Sequence, residues 1–303
     1  VGGTRVEHDG LSMAPLREAA RLAFGTDVVP RYDFSAARFV VSFGADFLET
    51  WLSPVEHARG FSRSSSVEGE GKAPFVYVGS RLSLTGQNAD EWIPIRPGSE
   101  AAVALGMARV VSDATGASAG PYANVLAEYD AATAARTAGI EESDVRELAE
   151  RFVEHGPGLA VGPGVAGHHR NATAASLAVL ILNHVAGNVG RTVLLGGGMP
   201  SAASAPYTDV ESAIRTMAAG DAGVALVHGT NPAYTLPPAS AFAEAFADVP
   251  FKVAFATEPD ETASMADLIL PDRHFLESWG DSNPAPGLYA LQQPAMQPVP
   301  HFD

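Results

Sequence analysis

Four times along this chain a run of apolar, largely β-branched or aromatic residues gives way to a glycine and a polar loop. The runs are Arg38-Phe-Val-Val-Ser-Phe43 before Gly44, Phe75-Val-Tyr-Val78 before Gly79, Leu159-Ala-Val161 before Gly162, and Val224-Ala-Leu-Val227 before His228-Gly229. Short apolar runs without polar alternation suit strands covered on both faces. Helical spacing lies between and after them, over Glu100 to Val111, Ser143 to Phe152, Ala174 to Val185 and Ser240 to Phe246. Strands separated by helices predict parallel sheets joined by right-handed crossovers, so the fold class is α/β. Ligands of open α/β sheets sit at the carboxyl ends of the strands, where these glycines fall.

The densest such end is residues 78–106. The polar run Ser80 to Asp90 leaves the strand ending at Val78, Trp92 to Ile95 forms a second short apolar run, and Arg96-Pro-Gly turns the chain. Ser99 is then placed to cap the following helix. Ser12 to Phe24 reads as an amphipathic helix with Leu16, Ala19, Ala20 and Leu22-Ala23 on one side, Ser62 to Lys72 as an exposed loop, and Ala114 to Gly120 as a linker. A Ser cap at Ser143 opens the helix carrying Val145, Leu148 and Phe152. A length of 303 residues suggests two domains. The glycine and serine cluster at 196–204 divides them into a first, dinucleotide-cradle-like α/β domain at 1–200 and a second α/β domain at 201–303.

Composition removes several functions. Zero cysteines excludes disulfides, a thiol nucleophile and cysteine-ligated clusters within these residues. With 19 Lys plus Arg against 35 Asp plus Glu, a net charge of −16 argues against a nucleic-acid partner. The longest apolar run, Ala174 to Leu182, is far short of the ~20 residues a membrane-spanning helix needs. The start at Val1 and the end at Pro300-His-Phe-Asp303 read as those of a processed or partly represented polypeptide, with the second domain truncated.

Gly162-x-Gly164-x-x-Gly167 matches a dinucleotide fingerprint, with a strand before it and a helix after it to hold phosphate. The fingerprint also expects an acid ~20 residues on for the ribose, yet the chain has no Asp or Glu between His155 and Asp209. A tight packed turn explains those glycines more simply, and an NAD-dependent dehydrogenase ranks third among the readings. His168 and His169 are adjacent, so they cannot share a helical face, and without a neighbouring Cys or Asp they are too few for a metal. His274 and Glu277 flank a turn. The carboxylate pairs Asp46 with Glu49 and Asp260 with Glu261 lie in strand-end loops, where such groups more often receive amides than run acid/base chemistry. No strand-to-helix elbow of the Gly-x-Ser-x-Gly kind is read. No catalytic and no metal-ligating residue is assigned.

In chain order, Val40 to Pro54, Arg81 to Gly86 with Ala89 to Gly98, Gly187 to Gly190, Gly229 to Pro237, and Ala266 to Pro271 with Glu277 resemble the pterin-cradling segments of molybdopterin oxidoreductases related to dimethyl sulfoxide reductase. The resemblance spans nearly the whole chain and implies two Rossmann-like parallel-sheet domains. Phe47 to Pro54, Ser83 to Gly86 and Leu276 to Asp281 are similar to a non-catalytic branch, the large iron-sulfur subunit of alternative complex III, a membrane-bound quinol-oxidising complex. That branch implies a scaffold with no cofactor in this chain, iron-sulfur clusters in the other half of the subunit and haems elsewhere in the complex. Its implied partners are that iron-sulfur half, multihaem cytochrome c subunits and integral membrane quinol-binding subunits, on the outer (periplasmic) face of the bacterial cytoplasmic membrane.

Departures from the catalytic pattern agree with this branch. Val78-Gly-Ser-Arg81 stands where catalytic relatives usually have Val-Asp-Pro-Arg, and Trp279 to Pro286 brings an acid and prolines where they have a basic, glycine-rich stretch. The resemblance thus implies a vestigial cradle of Gly44, Asp46, Glu49, Arg81, Asp90, Arg96 and Gly98. Arg81 and Arg96 are expected to pair with Asp46, Glu49 or Asp90 instead of a phosphate. The alternative is a portion of a catalytic molybdopterin oxidoreductase that binds a pterin guanine dinucleotide.

Overall fold

A computed structural model describes residues 2–11, 13–66, 72–164, 170–196, 205–285 and 287–298. They form two units, Pro15–Gly198 and Val1–Ala14 with Met199–Asp303. From residue 14 to 194 run α1 (Ala14–Phe24), β1 (Arg31–Tyr32), β2 (Phe39–Phe43), α2 (Pro54–Ser64), β3 (Phe75–Val78), the single turn α3 (Leu84–Gln87) and β4 (Glu91–Ile93). Then come α4 (Glu100–Thr115), α5 (Ala123–Glu128), α6 (Ala131–Ala138), α7 (Glu142–Glu154), β5 (Gly158–Val161), α8 (Ala172–Val185) and β6 (Val193–Leu194).

Every residue of β2, β3 and β5 is buried, as their unbroken apolar character requires. With β4 they make a parallel sheet of order β4-β3-β2-β5. The chain steps outward from β2 to β4, then returns through four helices to set β5 on the other side of β2. The strand order therefore reverses between β2 and β5, the place where such sheets open a crevice.

One sheet face packs Phe39, Val41, Phe43 and Val76 against Met107 of α4, Phe152 of α7 and Val179 of α8. The other carries an aromatic stack in which Phe47 meets Phe34 at 4.4 Å and Phe75 at 5.2 Å between ring centroids. The outer edge of β5 is closed by a side chain: Asn183 accepts from Ala160 N at 3.1 Å and donates to Ala160 O at 2.8 Å. That buried amide stands in for a neighbouring strand.

Several local expectations are corrected. Ser99 does occupy the residue before α4, but its hydroxyl donates back to Arg96 O at 2.5 Å and caps nothing. Helix α7 is opened by Glu141, whose amide donates to the Asp144 carboxylate at 3.0 Å, and not by Ser143. Leu22 turns to solvent while Leu16, Ala19 and Ala20 are buried. The alanine-rich stretch holding α5 and α6 is not among the predicted helices, although Ala131, Ala134, Ala135 and Ala138 recur at helical spacing and their small side chains fill the tight contacts there. Ser12 and most of the predicted boundary at 196–204 lie outside the described residues.

In the second unit run α9 (Tyr207–Ala218), β7 (Val224–His228), α10 (Pro232–Thr235), α11 (Phe242–Ala247), β8 (Phe251–Ala256), β9 (Leu268–Pro271), β10 (Gly280–Ala285) and β11 (Leu288–Gln292). β7, β8 and β9 form a parallel sheet in that order, and β10 and β11 an antiparallel hairpin. Ala225 and Val227 pack against Val210 and Ile214 of α9 and Phe246 of α11. Helix α11 starts two residues after the predicted Ser240, past Ala241 at φ 52°. The amino-terminal residues, read with the first domain from sequence, fall with this unit. Ala205 N donates to Glu7 O at 2.8 Å, and the His8 ring meets Thr235 Oγ1 at 2.8 Å.

Candidate functional site

The strand-order reversal in the first unit places the loop after β2 beside the loop after β5. Phe43 ends β2, Gly44 follows at φ 69°, and the Ser42 hydroxyl donates to Ala45 O at 2.8 Å, fixing the turn. The two loops touch through backbone. Gly164 N donates to Phe43 O at 3.2 Å, and a Cβ on Gly164 would lie 1.5 Å from Gly44 O. Only glycine permits that approach, so Gly164 of the fingerprint is used for packing. Gly167, His168 and His169 lie outside the described residues.

Asp46 projects from this turn and is buried. Its carboxylate accepts from the Tyr77 hydroxyl at 3.0 Å and from Arg81 Nη2 at 2.8 Å. Ser83 Oγ donates to Tyr77 Oη at 3.3 Å while accepting from Gly86 N at 3.1 Å, which also caps α3. Burial first, then the Asp46 carboxylate, pushes the Tyr77 phenol up to about 12. Glu49 accepts from Thr85 N and Oγ1 at 3.2 and 3.3 Å. The polar groups around the β2 and β3 ends are thus matched to one another.

The remaining cradle residues go elsewhere. Asp90 accepts from Phe75 N at 2.9 Å and from Lys72, which puts it at the amino end of β3, away from Asp46. Burial would raise its pKa, but the Lys72 ammonium and the Phe75 amide outweigh that and hold it below the usual range. Arg96 pairs with no acid of the expected set. It donates to Arg136 O at 2.8 Å and Thr137 O at 3.4 Å at the end of α6, where helix carbonyls attract a cation. Gly98, at φ 81°, forms the turn before α4. The structure therefore brings together Gly44, Asp46, Glu49 and Arg81, and gives Asp90 and Arg96 partners elsewhere.

Tyr77, Ser83 and Thr85 escaped sequence reasoning as site residues; Tyr77 is hidden within the apolar run of β3, whereas the place of Ser83 and Thr85 in the polar loop beyond that strand was an available signal. His57 escaped it too. Its ring is buried against Phe34 and Trp51 at 4.9 and 5.6 Å, and Nδ1 has no hydrogen-bond partner among the described residues. Burial draws its pKa down to about 4, against smaller opposing effects from Glu56 and the Trp51 carbonyl. The pentapeptide Gly116-Ala-Ser118-Ala-Gly120, passed over in the sequence, has the serine-hydrolase spacing but follows α4, not a strand, and Ser118 Oγ accepts from Gly120 N at 3.1 Å.

In the second unit His228 Nε2 lies 2.9 Å from Asp272 Oδ2 at the sheet's carboxyl end. Glu261 accepts from Asn231 Nδ2 at 2.6 Å and Asp260 from Ala263 N at 2.8 Å, both ordering roles. His274 accepts from Leu276 N at 3.3 Å to open the turn that ends at Glu277. Among the described residues no group of three or more His, Asp or Glu could hold a metal, and no helix is long and apolar enough to cross a membrane.

A parallel sheet whose order reverses at two contacting glycine loops, with a charged network behind them, defines a nucleotide-type α/β protein. This chain belongs to the molybdopterin oxidoreductase family, whose profile matches residues 3–299. It is 31% identical over 288 residues to the menaquinone reductase molybdopterin-binding-like subunit of Nitratidesulfovibrio vulgaris, covering 88% of this chain and 42% of that protein. A 90-residue portion is 32% identical to the arsenate respiratory reductase molybdopterin-containing subunit ArrA of Shewanella sp., covering 26% of this chain and 9% of that one. The acetylene hydratase of Pelobacter acetylenicus shares the fold, with a TM-score of 0.72 at 15% identity over 96% of this chain and 48% of that one. The chain spans less than half the length of these relatives.

Proposed function

We propose that this chain is a non-catalytic, cofactor-less scaffold in a membrane-bound electron-transfer complex that oxidises quinol, of the alternative complex III kind. The observation that carries the reading is the backbone contact of Gly164 with Phe43 and Gly44 at the strand-order reversal. A pterin dinucleotide is held in folds of this type by free amides and cations at the strand ends. Among the described residues, Arg81 is paired with Asp46 and the Thr85 amide with Glu49. Among the described residues, the cation and the amide at these strand ends are already engaged by carboxylates, which argues against a dinucleotide seated there. The name of the Nitratidesulfovibrio vulgaris relative, which couples menaquinone chemistry to a molybdopterin-binding-like subunit, supports the quinone side. The remainder of the reading follows from that role: clusters and haems in the iron-sulfur half and cytochrome partners, membrane subunits for quinol, and a site on the periplasmic face.

The second reading, a portion of a catalytic molybdopterin oxidoreductase, is favoured by the match to the arsenate reductase subunit. Elemental and pterin analysis of the complex purified from its native source decides between them. The scaffold reading expects molybdenum, tungsten and pterin far below one per chain, whereas one metal and its pterin bound to this subunit would establish the catalytic one.

A further inference from the structure

Tyr77 and Trp92 are register partners on the adjacent strands β3 and β4, so their side chains stand on one face of the sheet, with the strands roughly 4.8 Å apart. Tyr77 is 2% exposed and Trp92 40%, which puts the indole outside and the phenol behind it. Both rings close on Gly79. Trp92 Nε1 donates to its carbonyl at 2.9 Å, and a Cβ on Gly79 would lie 2.9 Å from Tyr77 Cε1. Beyond the phenol, Asp46 accepts the Tyr77 hydroxyl at 3.0 Å. Among the described residues no other of the seven tyrosines gives its hydroxyl to a carboxylate; that of Tyr122 goes to the Leu22 carbonyl, and that of Tyr32 has no partner.

An exposed indole, a buried phenol and a carboxylate in that order suit one-electron oxidation. Loss of an electron turns a phenol from a weak acid into a strong one, so a buried tyrosine is oxidised readily only where a base waits within hydrogen-bond reach. Until then Tyr77 holds its proton, since burial, followed by the Asp46 carboxylate, pushes its pKa up to about 12. The indole has no such base, because its N–H faces a backbone carbonyl. Charge placement favours the phenol too. Proton transfer neutralises the buried Asp46, and the positive charge left behind falls on Arg81, whose side chain is 67% exposed to water.

We propose that Trp92, Tyr77 and Asp46 form a proton-coupled relay that donates an electron to one-electron oxidants, such as oxygen-derived radicals or oxidised metal complexes, arriving at the surface of the first unit. The oxidant takes one electron from the Trp92 indole and is itself reduced. The indole radical cation then takes an electron from Tyr77; the phenol O–H bond breaks, and its proton forms the O–H bond of the Asp46 carboxylic acid. Trp92 is restored, and the product is a neutral phenoxyl radical at Tyr77. Its oxygen accepts hydrogen bonds from the new Asp46 acid and from Ser83 Oγ, which already donates to it at 3.3 Å.

Flash photolysis tests this in the full polypeptide that carries these residues. Tris(bipyridine)ruthenium, photo-oxidised with a cobalt(III) quencher, serves as the oxidant; transient absorption gives the rates, and electron paramagnetic resonance of frozen samples identifies the radicals. A tyrosyl radical is expected in the parent. Tyr77→Phe should replace it by a tryptophanyl radical, which adding Trp92→Phe should remove. Asp46→Asn keeps a hydrogen-bond acceptor beside Tyr77 but not the base, so the tyrosyl radical should form about 100-fold more slowly. A tyrosyl signal undiminished by Tyr77→Phe, or one formed at the parent rate in Asp46→Asn, would overturn the proposal.

Discussion

His57 is held neutral inside an aromatic cluster, and that ties the stability of the first unit to pH. Its pKa falls from 6.5 to about 4 because burial penalises the charged ring. A depressed folded-state pKa means that the unfolded chain binds more protons between these values. The stabilisation is complete above pH 6.5 and is lost as pH falls toward 4, by about 3 kcal/mol over the window. Denaturant unfolding at pH 7 and pH 4.5 checks this: His57→Phe should flatten the pH dependence relative to the parent, and an unchanged slope would refute the assignment. Asp46 gives a second expectation. Arg81 is 67% exposed, so its ion pair is worth at most about 1 kcal/mol. The buried Tyr77 hydroxyl depends more on having an acceptor. Asp46→Asn, which keeps an acceptor, should cost under about 1 kcal/mol, whereas Asp46→Leu should cost roughly 1–3 kcal/mol. Equal losses in the two variants would contradict that division. The Arg81 pairing was legible because cation and acid both lie in loops leaving adjacent strands. The partners of Arg96 were not legible, since they are backbone carbonyls at the end of α6, and a carbonyl acceptor leaves no side-chain signature in the sequence.

At the scale of elements, the strands announced themselves because their apolar runs need cover on both faces, while the features fixing their edges and crossings were hidden in single residues. Asn183 lies within an apolar helix, and nothing in its neighbours says that its amide serves Ala160. Asn183→Leu should cost about 2–4 kcal/mol by leaving the Ala160 amide and carbonyl unpaired; a loss below 1 kcal/mol by calorimetry would show that another group serves that edge. Gly106 sits where α4 crosses α6, and an added Cβ would approach Ala134 Cβ to 2.4 Å. Gly106→Ala improves helix propensity by about 1 kcal/mol, but the overlap should outweigh it and leave a net loss of about 1–2 kcal/mol. Ala134→Gly in the same chain should recover most of it, and failure to do so would place the strain elsewhere. The hairpin β10-β11 was missed altogether, because Pro284 and a mixed apolar pattern mask its alternation.

At the scale of the whole molecule, sequence reading recovered the α/β class and the parallel sheets, and the family match over residues 3–299 agrees with both. It did not recover how the first unit's ligand end is arranged, since that depends on a backbone contact between glycines 120 positions apart in number, Gly44 and Gly164. The central claim is that the strand-order reversal of the first unit is closed by the protein's own atoms. An experimental density map of the native complex, inspected at Gly44, Asp46, Arg81 and Gly164, tests it most directly. The account predicts continuous protein density across the Gly44–Gly164 contact with Arg81 on Asp46. Density for a pterin dinucleotide between those loops, with Arg81 turned onto its phosphates, would contradict it.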